Sequence, residues 1–345
     1  MFSTWLVKVD FVLAGFARKV DAGVVKMIRF LLTRGHKYTL KMVKRSPLAP
    51  SIGLMNYDRL FRSRWIKHAT HVFADLDRLG YWDLELASDL YLQMKNAGLA
   101  VLNNPALFKN RHSLLRALHL AGLNDFDAYR MNEINSIKRF PVFLRKIQGH
   151  REPLSGLLET REEAEKAVDA AVSAGTPEEN LVLIEIAAEP VRPGLYRRLA
   201  AFRIGNAIVP HISVHDTSWL VKYGRTFDTI EDLYQEEHAQ MELNPFAGHL
   251  MKVFDVAGVE YGRADFGFLK GRVQVFEINT NPHLTPAEPH PSATRVASMN
   301  LAWQKYMQAL RSIDSQDGRT VRLADGRLQR GRPWKNLLAR TRKVH

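Results

Sequence analysis

Residues 261–282 constrain the fold more tightly than any other stretch of this chain. Ala264–Leu269 and Val273–Ile278 are two runs rich in Phe, Val and Ile, with Lys270-Gly271-Arg272 between them. That pattern predicts a tight β-hairpin. Residues i and i+2 of a strand share a face, so Glu277 and Asn279 point the same way. A turn near Gly271 brings Asp265 close to register with Glu277. Two carboxylates and an amide oxygen then converge among apolar neighbours, where unpaired charge is costly to bury. A hard divalent cation such as Mg²⁺ would satisfy all three oxygens. An ordinary hairpin with an acid at each edge fits the same spacing, and the hairpin alone leaves both readings open.

The rest of the chain reads as alternating strands and helices. Ser51–Tyr57 and Thr70–Phe73 predict short strands, Leu84–Ala97 a helix and Ala100–Asn103 a buried strand, an order that favours parallel pairing. Lys109–Ala121 predicts a helix, Phe140–Lys146 a strand, and Arg161–Ala174 a helix with Glu162, Glu163 and Glu165 near its start. Leu181–Ile186 predicts a strand. Leu199–Ile204 and Ala207–Ile212 predict a strand pair turning at Gly205-Asn206, Ile230–Val256 is mainly helical, and Arg295–Ile313 closes the body as a helix. At the start, Leu6, Val9, Leu13, Phe16, Val20, Val24, Ile28 and Leu31 recur near helical spacing, predicting an amphipathic helix over 4–34. Residues 37–50 end in Ser46-Pro47-Leu48-Ala49-Pro50 and read as a linker.

Charge separates the ends from the middle. Residues 1–71 hold 14 lysines and arginines against 3 acids, and residues 316–345 hold 9 against 2, so the net charge of +13 lies in the extensions. A mildly acidic body with basic ends describes a globular enzyme better than a nucleic-acid-binding fold. The basic helix can pack on the body or on a second copy of the chain, as in a homodimer, or lie on an anionic membrane surface. The chain has no cysteine, which excludes disulfides, thiolate metal sites and cysteine nucleophiles and fits a cytoplasmic setting. No apolar window reaches the 18 residues a spanning helix needs.

With these elements placed, five segments stand out in order: Leu102-Asn103-Asn104-Pro105 with Lys109, Phe140–Arg145, Leu181–Ile186, Tyr196–Gly205 followed by Ile208–His211, and Asp265 with Glu277-Ile278-Asn279. Together they resemble the ATP-grasp superfamily of carboxylate–amine ligases. The resemblance implies an α/β ATP-grasp fold and the cofactors ATP and Mg²⁺. It implies that Asp265, Glu277 and Asn279 hold the metal, that Lys109, Arg145 and Gln148 lie against phosphate, and that Glu185 with the backbone of Ile186 meets the adenine. Arg145 stands where lysine is commoner in the family, and Gln148–Gly156 is a covering loop with only two glycines. Arg197 (or Arg198) and Arg263 are candidates to steady an acyl phosphate, with His211 and Asn281 on the substrate side.

The implied division is a basic helix and linker over 1–48, a small α/β unit over 49–105, ATP-grasp halves over 106–180 and 181–313, and a basic tail over 314–345. The implied reaction joins a carboxylate to an amine through an acyl phosphate, with small-molecule or peptide-like substrates and no nucleic acid. A kinase acting on a hydroxyl group and a non-catalytic nucleotide-binding partner remain as alternatives.

Overall fold

In the computed structural model, Ile28, Phe30, Leu31 and Leu32 are completely buried in strand β1 (Ile28–Leu32). The model describes residues 27–149, 152–222, 224–225, 227, 230–315 and 319–323. The expected helix over 4–34 is therefore corrected at its end, and its first 23 residues lie outside the described residues. Ile28 and Leu31 fit helical spacing, but a run buried on both faces is the mark of a central parallel strand. Ile28, Phe30 and Leu32 pack to one side and Leu31 to the other. The chain continues through a short helix α1 (Lys41–Arg45), so the supposed linker is largely helical turn.

Next come β2 (Ile52–Asn56), α2 (Tyr57–Leu60), β3 (Trp65–Lys67), β4 (Thr70–Phe73), α3 (Tyr81–Asn96) and β5 (Val101–Leu102). Strands β2-β1-β4-β5 form a four-stranded parallel sheet. β1 thus brings residues before 48 into the sheet that the sequence reading began at 49. Leu86, Leu90 and Met94 of α3 pack with Leu31 and Phe73 beneath it.

A second layer begins with α4 (Arg111–Leu120), capped by the Asn110 side chain on the Ser113 N–H at 3.0 Å. β6 (Ala128–Tyr129), β7 (Val142–Lys146), α5 (Arg161–Ser173) and β8 (Leu181–Glu185) follow, with the strands in the antiparallel order β6-β8-β7. The last part holds β9 (Pro190–Arg192), β10 (Leu195–Ile204), β11 (Ala207–Asp216), α6 (Glu231–Leu243), α7 (Ala247–Ala257), β12 (Tyr261–Leu269), β13 (Arg272–Asn279), α8 (Ala293–Ser312) and β14 (Thr320–Arg322). β11-β10-β12-β13 form its antiparallel sheet. Asn244, at φ 49, stops α6 before Pro245, so the predicted helix over 230–256 is two. Part of the supposed tail is ordered: Thr320–Arg322 pairs with Trp65–Lys67. No described helix is long and apolar enough to cross a membrane.

Two features join the sheets. Phe30 of β1, Phe202 of β10, Tyr261 of β12 and Tyr306 of α8 share one core, with Phe30 edge-on to Tyr261 at 5.0 Å. Asn103 is wholly buried and adopts φ 63. Its amide donates to the carbonyls of Phe73 and Tyr261, and its oxygen accepts the N–H groups of Glu260 and Tyr261, all within 3.0 Å.

Candidate active site

The hairpin forms as the sequence predicts. Lys270 and Gly271 adopt φ values of 51 and 74, the left-handed pair that a two-residue turn needs between twisted strands. Asp265 then stands directly opposite Glu277, and Arg263 opposite Asn279. The register slips between Asp265 and Phe266, so that Phe276 is an extra residue in β13. A Cβ added at Gly267 would meet the Phe276 ring at 2.9 Å. The bulge thus lays Phe276 over Gly267 and presents it beside Glu277 on one face.

That face is one wall of a cleft of about 550 Å³ between the sheets, a volume suited to a cofactor-sized ligand. One end is apolar, lined by Leu115, Phe126, Phe143, Ile184, Trp219 and Phe276, with the Phe143 and Trp219 rings 4.9 Å apart. The middle holds Arg111, Arg145, Arg198 and Arg263 around Asp265 and Glu277. The far end reaches His36, Tyr38, Thr39, Asp75, Asn281 and His283.

Asp265 is 1% exposed, and both its oxygens accept from arginines. Arg198 reaches Oδ2 at 2.7 Å, while Arg263 spans Oδ1 at 2.8 Å and Oδ2 at 3.1 Å. Burial opposes the Arg263 charge, but Asp265 and then Glu277 outweigh it and raise its pKa above the usual value. Glu277 faces Arg111 at 3.5 Å and Arg145 at 3.8 Å. Burial and then the Arg111 charge lower Arg145 to about 10, so it stays cationic at neutral pH. Asn279 Oδ1 accepts the Asn281 N–H at 2.8 Å.

The other expected residues divide. Lys109 and Gln148 line a small neighbouring crevice rather than the cleft, and the Lys109 amine reaches the Leu107 carbonyl. Arg111, rather than Lys109, lines the cleft. Its guanidinium donates to the carbonyls of Lys146, Ile147 and Gly149 as it approaches Glu277, which fixes the chain leaving β7. Glu185 lines the cleft, but Tyr129 Oη, the Asp127 N–H and Arg139 already hold its carboxylate. The Ile186 N–H donates to the Pro141 carbonyl at 3.1 Å. Both residues line the cleft, and the backbone of Ala187–Glu189 continues along the same wall.

Arg197 is turned to Glu236 in a two-pronged pair at 2.9 and 3.1 Å, leaving Arg198 as the arginine on Asp265. His211 packs edge-on to Phe202 at 5.3 Å and is not among the cleft-lining residues. Burial and the Arg263 charge lower its pKa to about 3. Of the loop over Gln148–Gly156, residues 150–151 lie outside the described residues. Glu152 and Pro153 line the cleft, and Glu152 meets Lys222 at 3.7 Å.

Sequence reasoning missed Thr33, His36 and Asp75. A legible signal existed: Thr33 and Asp75 follow the C-terminal ends of β1 and β4, and ligands of parallel sheets bind at such edges.

No protein-family model matches the chain, and no curated protein matches it by sequence. Solved structures do. In fold, the chain resembles ATP-grasp ligases. A D-alanine–D-alanine ligase from Bacillus anthracis complexed with ATP matches at 11% identity and a TM-score of 0.45, covering 83% of this chain and 98% of that one. The ATP-grasp ligase PsnB complexed with a minimal precursor matches at 12% and 0.48, covering 84% and 99%. The N5-carboxyaminoimidazole ribonucleotide synthetase from Thermotoga maritima matches at 14% and 0.45, covering 85% and 77%. These are likenesses of chain path to ATP-grasp proteins.

Proposed function

We propose that the protein binds Mg²⁺·ATP in this cleft and uses it to activate a carboxylate as an acyl phosphate, which an amine captures to give an amide, ADP and phosphate. The observation that carries the reading is the direct opposition of Asp265 and Glu277 on adjacent strands inside a ring of four arginines.

The donor set fits magnesium. Among the described residues, no three His, Cys, Asp or Glu side chains gather as a self-sufficient metal cage. Asp265, Glu277 and the Asn279 oxygen supply a few hard donors, which suits an ion that takes its remaining ligands from phosphate and water. When bound there, the ion would neutralise phosphate charge and polarise the transferring group. Arg145 and Arg111 suit the anionic phosphates, because a guanidinium makes planar, two-pronged contacts with phosphate oxygens. Arg263 and Arg198, now held by Asp265, stand where charge develops on an acyl phosphate. The apolar end, walled by Phe143, Ile184 and Trp219, suits a nucleobase. The Glu152–Lys222 contact bridges the loops after β7 and β11 and supports exclusion of water, which would hydrolyse the acyl phosphate.

The test couples binding to turnover. Asp265→Asn combined with Glu277→Gln is expected to weaken Mg²⁺-dependent ATP binding, read by calorimetry, by at least about a hundredfold, the upper end of what loss of a ligand's outer-shell partner alone costs. Wild-type protein with ATP, Mg²⁺, hydroxylamine and each of the twenty amino acids in L and D forms is expected to release ADP and form a hydroxamate with at least one of them. Unchanged affinity in the double variant defeats the reading of the site. ADP release that needs only a hydroxyl compound would replace the ligase by a kinase.

A further inference from the structure

The two central strands of the N-terminal sheet, β1 and β4, carry a second chemical device. β1 and β4 are adjacent and parallel; from β1 the sheet extends to β2 on one side, and from β4 to β5 on the other. The crevice past their C-terminal ends is therefore a topological switch point. Thr33 leaves β1 there, and Asp75, 1% exposed, follows β4 with a left-handed backbone at φ 55.

Asp75 Oδ2 accepts the Thr33 N–H at 2.9 Å and the Thr33 hydroxyl at 2.7 Å. Thr33 Oγ1 also lies 2.7 Å from His36 Nδ1. Asp75 Oδ1 is held by the Asn281 amide at 2.8 Å and approached by Arg78 at 3.5 Å. The proton positions follow from valence. The threonine hydroxyl has one proton, and a carboxylate oxygen can only accept it. Oγ1 must then accept from the imidazole, so Nδ1 carries a proton, and in the neutral ring the lone pair lies on Nε2.

His36 lines the cleft with Asp265 and Asn279. Its backbone is tied to that site, because Asn281 donates from its side chain to the His36 carbonyl at 3.3 Å and from its backbone to Asn279 Oδ1. Nucleotide and metal binding make no use of these groups.

We propose that His36 is the catalytic base for the acceptor, with Thr33 and Asp75 as positioning residues that hold its Nε2 unprotonated toward the cleft. The proposal rests on the ligase reading and deepens it. The neutral amine forms the C–N bond at the acyl carbon, the C–O bond to phosphate breaks, and phosphate leaves with that electron pair. The proton shed by nitrogen goes to His36 Nε2.

Two readouts test this. Long-range ¹⁵N–¹H correlation spectra of the ¹⁵N-histidine-labelled full chain are expected to show His36 as the Nδ1–H tautomer, and Thr33→Val is expected to remove that preference. An Nε2–H tautomer in wild type overturns the proposal without any substrate. The kinetic readout compares two nucleophiles on the same carboxylate. Attack by hydroxylamine leaves a far more acidic ammonium than attack by an amino-acid amine, so water can take its proton and His36→Gln should lower the hydroxamate rate much less. The same variant should lower amide formation with an amino-acid amine by about 10²–10⁴-fold, the usual contribution of a general base, and Thr33→Val by a smaller factor with His36 still present. Equal loss in both reactions, or loss in neither, overturns the proposal. Failure of wild-type protein to form any hydroxamate would sink the ligase reading, while the tautomer would still decide the relay.

Discussion

Asp265 and Glu185 are both buried acids on strands that line the same cleft, yet their partners differ in kind. Asp265 is held by two guanidiniums, Arg263 on its own strand and Arg198 on the neighbouring one. Glu185 is held by a backbone N–H, a tyrosine hydroxyl and Arg139, beside β6 and the segment that precedes β7. Arginine side chains can turn from a carboxylate to an arriving phosphate. A backbone N–H cannot move without unfolding its strand. The first acid belongs to a site that exchanges partners, and the second to the scaffold.

The largest expected effect breaks the first arrangement. Asp265→Ala leaves Arg198 and Arg263 facing each other without their acid, and removing one partner of a buried pair costs about 3–5 kcal/mol. Denaturant unfolding should show this loss, and added ATP should recover part of it, since its phosphates can take the place of the carboxylate. Recovery beyond what ATP gives the wild type is the sharp element, because ligand binding stabilises any folded binder; a purely structural ion pair would show no excess.

Glu185→Gln tests the other side. Its amide oxygen can keep the Asp127 N–H, but the amide nitrogen cannot accept from the Tyr129 hydroxyl, and a stranded buried donor costs about 1–3 kcal/mol. Stability should fall by that amount, while ATP affinity of the folded protein changes less than threefold. A tenfold loss of affinity would restore Glu185 to the adenine role the sequence suggested.

A third kind of buried ionisable group refines the comparison. His71 and His215 are 0% and 2% exposed. Burial, then the Arg29 charge, lowers His71 to about 3, and burial, then Arg197, lowers His215 to about 4. Both are neutral in the fold but titrate near 6.5 when unfolded. Their stabilisation is complete above about pH 6.5 and is lost as the pH falls toward 4 and 3. Each should remove about 1.4 kcal/mol per pH unit in that window. Melting temperatures followed from pH 7 to 4.5 should drop, and His71→Asn should flatten the slope.

The smallest contrast lies two residues apart. Arg111→Ala should weaken ATP binding about tenfold, the worth of a hydrogen bond to a charged group, and Lys109→Ala less than twofold. Equal effects would undo the contrast.

These contrasts also mark what the sequence could show. The β12–β13 hairpin was legible because a two-residue turn and period-2 alternation are local, and they placed Asp265 opposite Glu277. The bulge at Phe276 was not, because it depends on how that ring crosses Gly267. β1 was misread because Ile28 and Leu31 satisfy helical spacing, and only the covering layers, α3 on one side and α8 on the other, reveal a strand. Arg197 and Arg198 are equivalent in sequence; strand parity and the position of α6 separate them. Thr33, His36 and Asp75 are 42 residues apart at their extremes, and only parallel pairing of β1 with β4 unites them.

Asn103 has a consequence for how such a chain can be rebuilt. Four hydrogen bonds to two sheets pass through one side chain that cannot be replaced without orphaning backbone groups on both. A recombination junction near residue 100 would have to recreate this lock on each parent. Grafting a foreign amino-terminal portion to change the acceptor should therefore fail at the seam, whereas exchanging the stretches around His36 and His283 leaves it whole.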